Sequence, residues 1–137
     1  MRLLIDTNIF LDIFFCRESL KDSSEEFFRK TKINSDEIYV SVATFKDISY
    51  FIKKIYHFDD IVNKKLMRIY ERITKVISTT SDDMINALYE DGDFEDNVLR
   101  NSATRTMCDA IITRNIKHFE GKDINCFTPN EYLQYRN

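Results

Sequence analysis

The sequence predicts a single α/β domain over residues 1–137, built on a mostly parallel, twisted sheet of four to five strands. Three observations lead there. Short runs of bulky and β-branched residues at 3–5, 38–42, 76–78, 110–113 and 124–127 alternate with longer segments whose apolar residues recur at helical spacing. Glycine and proline are scarce, two and one respectively, which argues for long helices joined by plain connections. A chain of 137 residues, 43% of them hydrophobic, suits one core that buries roughly two-thirds of the unfolded surface.

The elements follow in order. Residues 3–5 form a buried strand that runs into Asp6, and apolar residues resume at Ile9, so a helix begins there with Thr7 or Asn8 as N-cap. Residues 19–32 form a moderately amphipathic helix through Leu20, Phe27 and Phe28. Asn34-Ser35-Asp36 is a turn signal before the strand at 38–42. Thr44 is placed to cap a helix over 45–56, with Asp47 near its third position. The helix at 58–75 carries Ile61, Val62, Leu66, Ile69 and Ile73 as an apolar stripe, and Lys64, Lys65, Arg68, Arg72 and Lys75 on its other face. That face is the most basic in the chain and reads as solvated, or as a contact for RNA or an acidic partner. Residues 76–78 suit a short strand, and Ser81-Asp82-Asp83 opens a helix through residue 90. Asp93 caps another over 93–107, with Asp96 at its third position. The strand at 110–113 leads into the polar loop Arg114-Asn115, and after a last strand at 124–127 Pro129 begins a C-terminal helix.

Twenty Lys and Arg stand against 23 Asp and Glu, a net charge of −3, so no global basic field marks a nucleic-acid binder. Cys16, Cys108 and Cys126 are scattered and lack CxxC spacing, which argues against zinc or a disulfide framework and suits reduced thiols in the cytoplasm. The N-terminal apolar run is broken at Asp6, unlike a signal peptide, and no run of about 18 apolar residues suggests a membrane span.

The topology sorts the acids. In a parallel sheet each strand end, and the start of the helix that follows, lies on one edge, where ligands bind. Asp6, Asp47, Asp96 and Asn115 fall on that edge, whereas Asp109 precedes its strand and falls on the opposite one. Three carboxylates and an amide crowded together either raise their pKa values or hold a cation. All-oxygen donors select hard ions such as Mg²⁺ or Mn²⁺, which suits metal-assisted phosphodiester hydrolysis. Taken singly, Asp6 can be a cap, and Asp47 and Asp96 can simply complement helix dipoles. Ser41 has no base near it in sequence, and His57 and His118 lie in no triad-like pattern.

Leu4-Ile5-Asp6-Thr7-Asn8, Ser41-Val42-Ala43-Thr44-Phe45-Lys46-Asp47, Asp93-Phe94-Glu95-Asp96 and Ile111-Ile112-Thr113-Arg114-Asn115 with Phe119 together resemble PIN domains, in particular the VapC-like bacterial group. Thr128-Pro129-Asn130-Glu131-Tyr132-Leu133 resembles that group's usual ending. The resemblance implies a Rossmann-like three-layer α/β/α fold, Mg²⁺- or Mn²⁺-dependent ribonuclease activity on RNA, an antitoxin partner and a homodimer. It places Asp6 on the first family acid and Asp96 on the third. Asp47 stands where many members carry Glu, and Asn115 where a fourth acid often stands, which lowers the site's negative charge. Thr7, Asn8, Asp93 and Thr113 then support the ligands or touch substrate, with capping as their ordinary alternative.

Two other classes fit parts of the pattern. One is a metal-poor PIN-like module that binds RNA or protein without cutting it. The other is a receiver domain, also doubly wound and acidic at one edge, which needs an Asp ending its third strand where this chain has Ser78. Phe10, Phe14, Phe15, Phe27 and Phe28 exceed what one small helix face buries, so they serve either a homodimer or an enlarged core.

Overall fold

Leu3, Leu4 and Ile5 are fully buried because β1 (Arg2–Ile5) lies at the centre of the sheet, covered on both faces. The computed structural model describes residues 1–15 and 18–137; Cys16 lies outside them. The elements are β1, α1 (Thr7–Phe14), α2 (Glu18–Ile33), β2 (Glu37–Ser41), α3 (Val42–Tyr56), α4 (Asp60–Ile73), β3 (Lys75–Ile77), α5 (Ser81–Tyr89), α6 (Phe94–Arg105), β4 (Ala110–Ile112), a 3₁₀ turn (Ile116–Phe119), β5 (Asn125–Phe127) and α7 (Pro129–Tyr135).

All strand pairs are parallel, in the order β3-β2-β1-β4-β5. A receiver domain has a different strand order, so that reading falls. The winding reverses between β1 and β4, and the crevice at their carboxyl ends is where such sheets hold ligands. Alternate residues of the strands face two cores. Leu3, Ile5, Val40 and Ile112 pack with Ile9, Phe10, Phe27, Ile48, Ile52, Met67 and Tyr132 from α1, α2, α3, α4 and α7. Leu4, Tyr39, Ile77 and Ile111 pack with Leu99, Ala103 and Phe119 on the other side. The result is three layers, α/β/α, with the heavier helical layer on the first face.

Two expectations change. Ser41, the last residue of β2, is also the N-cap of α3: its extended backbone suits that position and its hydroxyl accepts the Thr44 amide at 3.0 Å. Helix α3 therefore begins at Val42 rather than residue 45, Thr44 is not the cap, and Asp47 is the sixth helical residue. It lies beyond the reach of the helix's N-terminal dipole.

Helix α4 is amphipathic but rotated from the predicted stripe. Asn63 and Met67 are buried, with Leu66 and Tyr70 packed beside them, while Ile61, Val62, Ile69 and Ile73 are exposed. In this orientation Asn63 donates to Ser49 Oγ on α3 at 2.7 Å. The early phenylalanines are largely absorbed by the core: Phe10 and Phe27 are buried, and Phe14 and Phe28 pack against them beside Tyr70. Exposed apolar surface lies instead on α4 and on α5, where Met84, Ile85, Leu88 and Tyr89 are exposed. Among the described residues, no helix is long and apolar enough to cross a membrane.

Candidate active site

A cleft of about 620 Å³ opens at the carboxyl edge of the sheet. It is lined by Asp6, Thr7 and Asn8 from the β1–α1 junction, Asp47 from α3, Asp96 from α6, and Asn115 after β4. The structure therefore brings together the four residues singled out as candidate ligands. Asp109 is at the far edge, where its carboxylate accepts the Arg2 amide at 2.6 Å.

Asp6, rather than Thr7 or Asn8, stands at the N-cap position of α1, where the helix already begins at Thr7, but it makes no side-chain capping hydrogen bond. Its Oδ2 instead accepts the Thr113 hydroxyl at 2.7 Å and the Asn8 amide at 2.7 Å. Thr113, fully buried, also accepts the Asn115 backbone amide at 3.0 Å, and Asn8 Oδ1 accepts the Arg114 amide at 3.3 Å. These bonds tie the end of β1 to the loop after β4 across the point where the winding reverses. Beneath them, the Arg114 guanidinium pairs with the buried Asp12 of α1 at 3.0 Å. Asp12 and Arg114 carry no catalytic motif, so only the fold exposes this brace.

Burial raises the Asp6 carboxyl above its ordinary range; the Thr113 hydroxyl opposes the rise, and the charge of Asp96 adds to it. Burial also raises Asp96, against the hydrogen bond from His118 and together with the charge of Asp93. Asp93 itself is exposed, caps α6 by accepting the Asp96 amide at 3.1 Å, and does not line the cleft. His118, unremarkable in the sequence, bonds Asp96 through Nδ1; this contact with Asp96 raises its own pKa. The available signal was its place in the loop that carries Asn115. Cys108 and Cys126 do not line the cleft, and burial pushes Cys126 up to about 11 and raises Cys108.

Among the described lining residues are four carboxylates, Asp6, Asp47, Glu95 and Asp96, and no Lys or Arg. The walls are apolar and aromatic, from Tyr50, Phe51, Met84 and Phe94. The basic residues of α4 do not reach the cleft. Among the described residues, no three His, Cys, Asp or Glu side chains converge tightly enough to cage a metal ion. The donor set still fits a hard divalent cation. Mg²⁺ keeps several waters and is ordinarily held by one or two carboxylates together with substrate phosphate. Asp6 and Asp96, which line one cleft closely enough for the charge of Asp96 to act on Asp6, supply such a seat.

A family model described as PIN domain matches residues 2–117. No curated protein sequence matches the chain. Among solved structures the fold is similar to VapBC2 from Rickettsia felis bound to a promoter DNA fragment, with a TM-score of 0.68, 16% identity, and coverage of 93% of this chain and 98% of that one. It is similar to a toxin–antitoxin complex from Klebsiella pneumoniae, with a TM-score of 0.65, 21% identity, and coverage of 93% and 97%. It also resembles VapBC-1 from nontypeable Haemophilus influenzae, with a TM-score of 0.68, 14% identity, and coverage of 95% and 99%. At these identities the likeness is one of fold.

Proposed function

The chain belongs to the PIN-domain family, and on that premise we propose that it is a Mg²⁺- or Mn²⁺-dependent endoribonuclease, the toxin of a toxin–antitoxin pair. The observation that carries this reading is the meeting of Asp6 and Asp96 in one cleft, each held above the ordinary carboxylate range mainly by burial. Asp6 and Asp96 would hold the cation directly, with Asp47 and Asn115 reaching it through water or substrate. A bound cation would supply Lewis acidity toward a phosphoryl oxygen of the phosphodiester. Thr113 and Asn8 fix the Asp6 carboxylate through Oδ2. The aromatic walls offer faces on which unpaired bases can stack, at about 1–3 kcal/mol per base. That favours single-stranded RNA in a cleft whose described lining holds no Lys or Arg.

An antitoxin partner is supported by the fold's likeness to complexes of that kind. A homodimer would use apolar surface such as Ile61, Ile69 and Ile73 on α4. A cytoplasmic location suits an RNA-cutting toxin. The test is cleavage of unstructured RNA in millimolar Mn²⁺ by the wild type, Asp6→Asn, Asp96→Asn and Asp109→Asn. Cleavage by the wild type and Asp109→Asn, and by neither of the other two, is the expected result. Cleavage that survives in Asp6→Asn refutes the assignment. RNA binding without cleavage would favour the binding-module reading.

A further inference from the structure

Among the described residues, three helices carry an acid at their third position, and they treat it in two ways. In α5 the Asp83 carboxylate reaches back to the Thr80 amide at 2.9 Å, and in α7 Glu131 reaches back to the Thr128 amide at 2.8 Å, each closing a reciprocal capping box. In α6 the N-cap Asp93 accepts the Asp96 amide, yet no reciprocal bond forms. The Asp96 carboxylate has turned instead to His118 Nδ1, 22 residues further along the chain. A carboxylate only accepts, so Nδ1 carries the proton of this bond.

His118 is well placed to impose that choice. Its amide donates to the Asn115 carbonyl at 3.0 Å, closing the 3₁₀ turn, and the adjacent Phe119 is buried in the second core. The ring is therefore presented from an anchored turn, in the same loop where an amide, Asn115, stands in place of a fourth acid.

We propose that His118 is a positioning residue for Asp96, drawing this carboxylate away from capping its own helix and holding it at the cleft as a cation ligand. The inference rests on the reading of the cleft as a divalent-metal site. Hydrogen-bond partners of metal ligands typically contribute about 10–100-fold to metal affinity. Asn can reproduce an Nδ1–H donor at nearly the same place, and Ala cannot.

The experiment is calorimetric titration of Mn²⁺ into the wild type, His118→Ala and His118→Asn, with thermal unfolding of each without metal. The expected result is that His118→Ala binds Mn²⁺ about 10–100-fold more weakly, while His118→Asn recovers to within a few-fold of wild type. His118→Ala should keep its melting temperature, because Asp96 is then free to close the capping box. Wild-type affinity in His118→Ala, or no recovery in His118→Asn, overturns the proposal alone. A wild type that takes up no Mn²⁺ at millimolar concentration overturns both the proposal and the metal-dependent reading beneath it.

Discussion

Thr113→Val replaces a hydroxyl by a methyl of almost the same shape at a fully buried position. The lost group donates to Asp6 Oδ2 at 2.7 Å and accepts the Asn115 amide at 3.0 Å and the Asn8 side-chain amide at 3.3 Å. A hydrogen bond to a charged group contributes about 1.5–3 kcal/mol, and leaving a buried partner unsatisfied adds about 1 kcal/mol. Asn115 is exposed, so water replaces its lost acceptor cheaply. A loss of about 2–4 kcal/mol is therefore expected, or roughly 6–14 °C in melting temperature for a domain of this size. Thr113→Ser keeps the hydroxyl and loses only a methyl, which costs about 1 kcal/mol. Denaturant unfolding of the three proteins reads these differences directly. The Thr113 bond also opposes the rise in the Asp6 pKa, so the acid limb of the RNA-cleavage profile should move to higher pH in Thr113→Val and not in Thr113→Ser. Equal stability of Thr113→Val and wild type to within about 0.5 kcal/mol, well under one buried hydrogen bond, would refute the view that Thr113 holds Asp6.

Asp6 has a pKa raised mainly by burial, so the stability linked to it is complete below the unfolded value of 3.8 and is lost as pH rises through the folded value. Asp6→Asn should therefore melt at a higher temperature than wild type at neutral pH without metal, and the gain should vanish in acid. Melting curves across pH check this, and an advantage that persists below pH 3.8 would contradict it. Arg105 binds the buried Asp83 through Nε at 3.1 Å and Nη2 at 2.8 Å. Arg105→Met should cost about 2–3 kcal/mol, the low side of a buried pair because the guanidinium is partly exposed. Burial raises the Asp83 carboxyl, but Arg105, the Thr80 amide and the Ser102 hydroxyl outweigh it and leave the pKa lowered. Its contribution is then present above 3.8 and disappears as pH falls through the lower folded value, so unfolding titrations of wild type and Arg105→Met should converge in strong acid.

Local chemistry made much of the architecture legible in the sequence. The apolar run that stops at Asp6, the cap Asp93 with Asp96 three residues on, and Pro129 opening α7 each state a boundary within a few residues, and the structure keeps them. The edge rule for parallel strands then gathered Asp6, Asp47, Asp96 and Asn115 and set Asp109 apart, because strand direction alone decides which end of an element a residue occupies. Other features depended on partners far along the chain. Ser41 caps α3 where β2 ends in pairing with β3, and α4 turns to the core the face that carries Met67, Leu66 and Tyr70, with Asn63 bonded to Ser49 of a neighbouring helix. His118 gains its role only when the turn after β4 is packed beside the start of α6.

The sequence by itself determined the order of strands and helices and the edge on which the acids gather, since both follow from period, capping and chain direction. Tertiary structure alone decided which way each helix faces, which hydroxyl holds Asp6, and that Asp96 turns to a histidine rather than to its own helix. Helix facing follows from which side chains find buried neighbours, and the two carboxylate choices are contests between hydrogen-bond partners of similar strength, settled by what packing brings within about 3 Å.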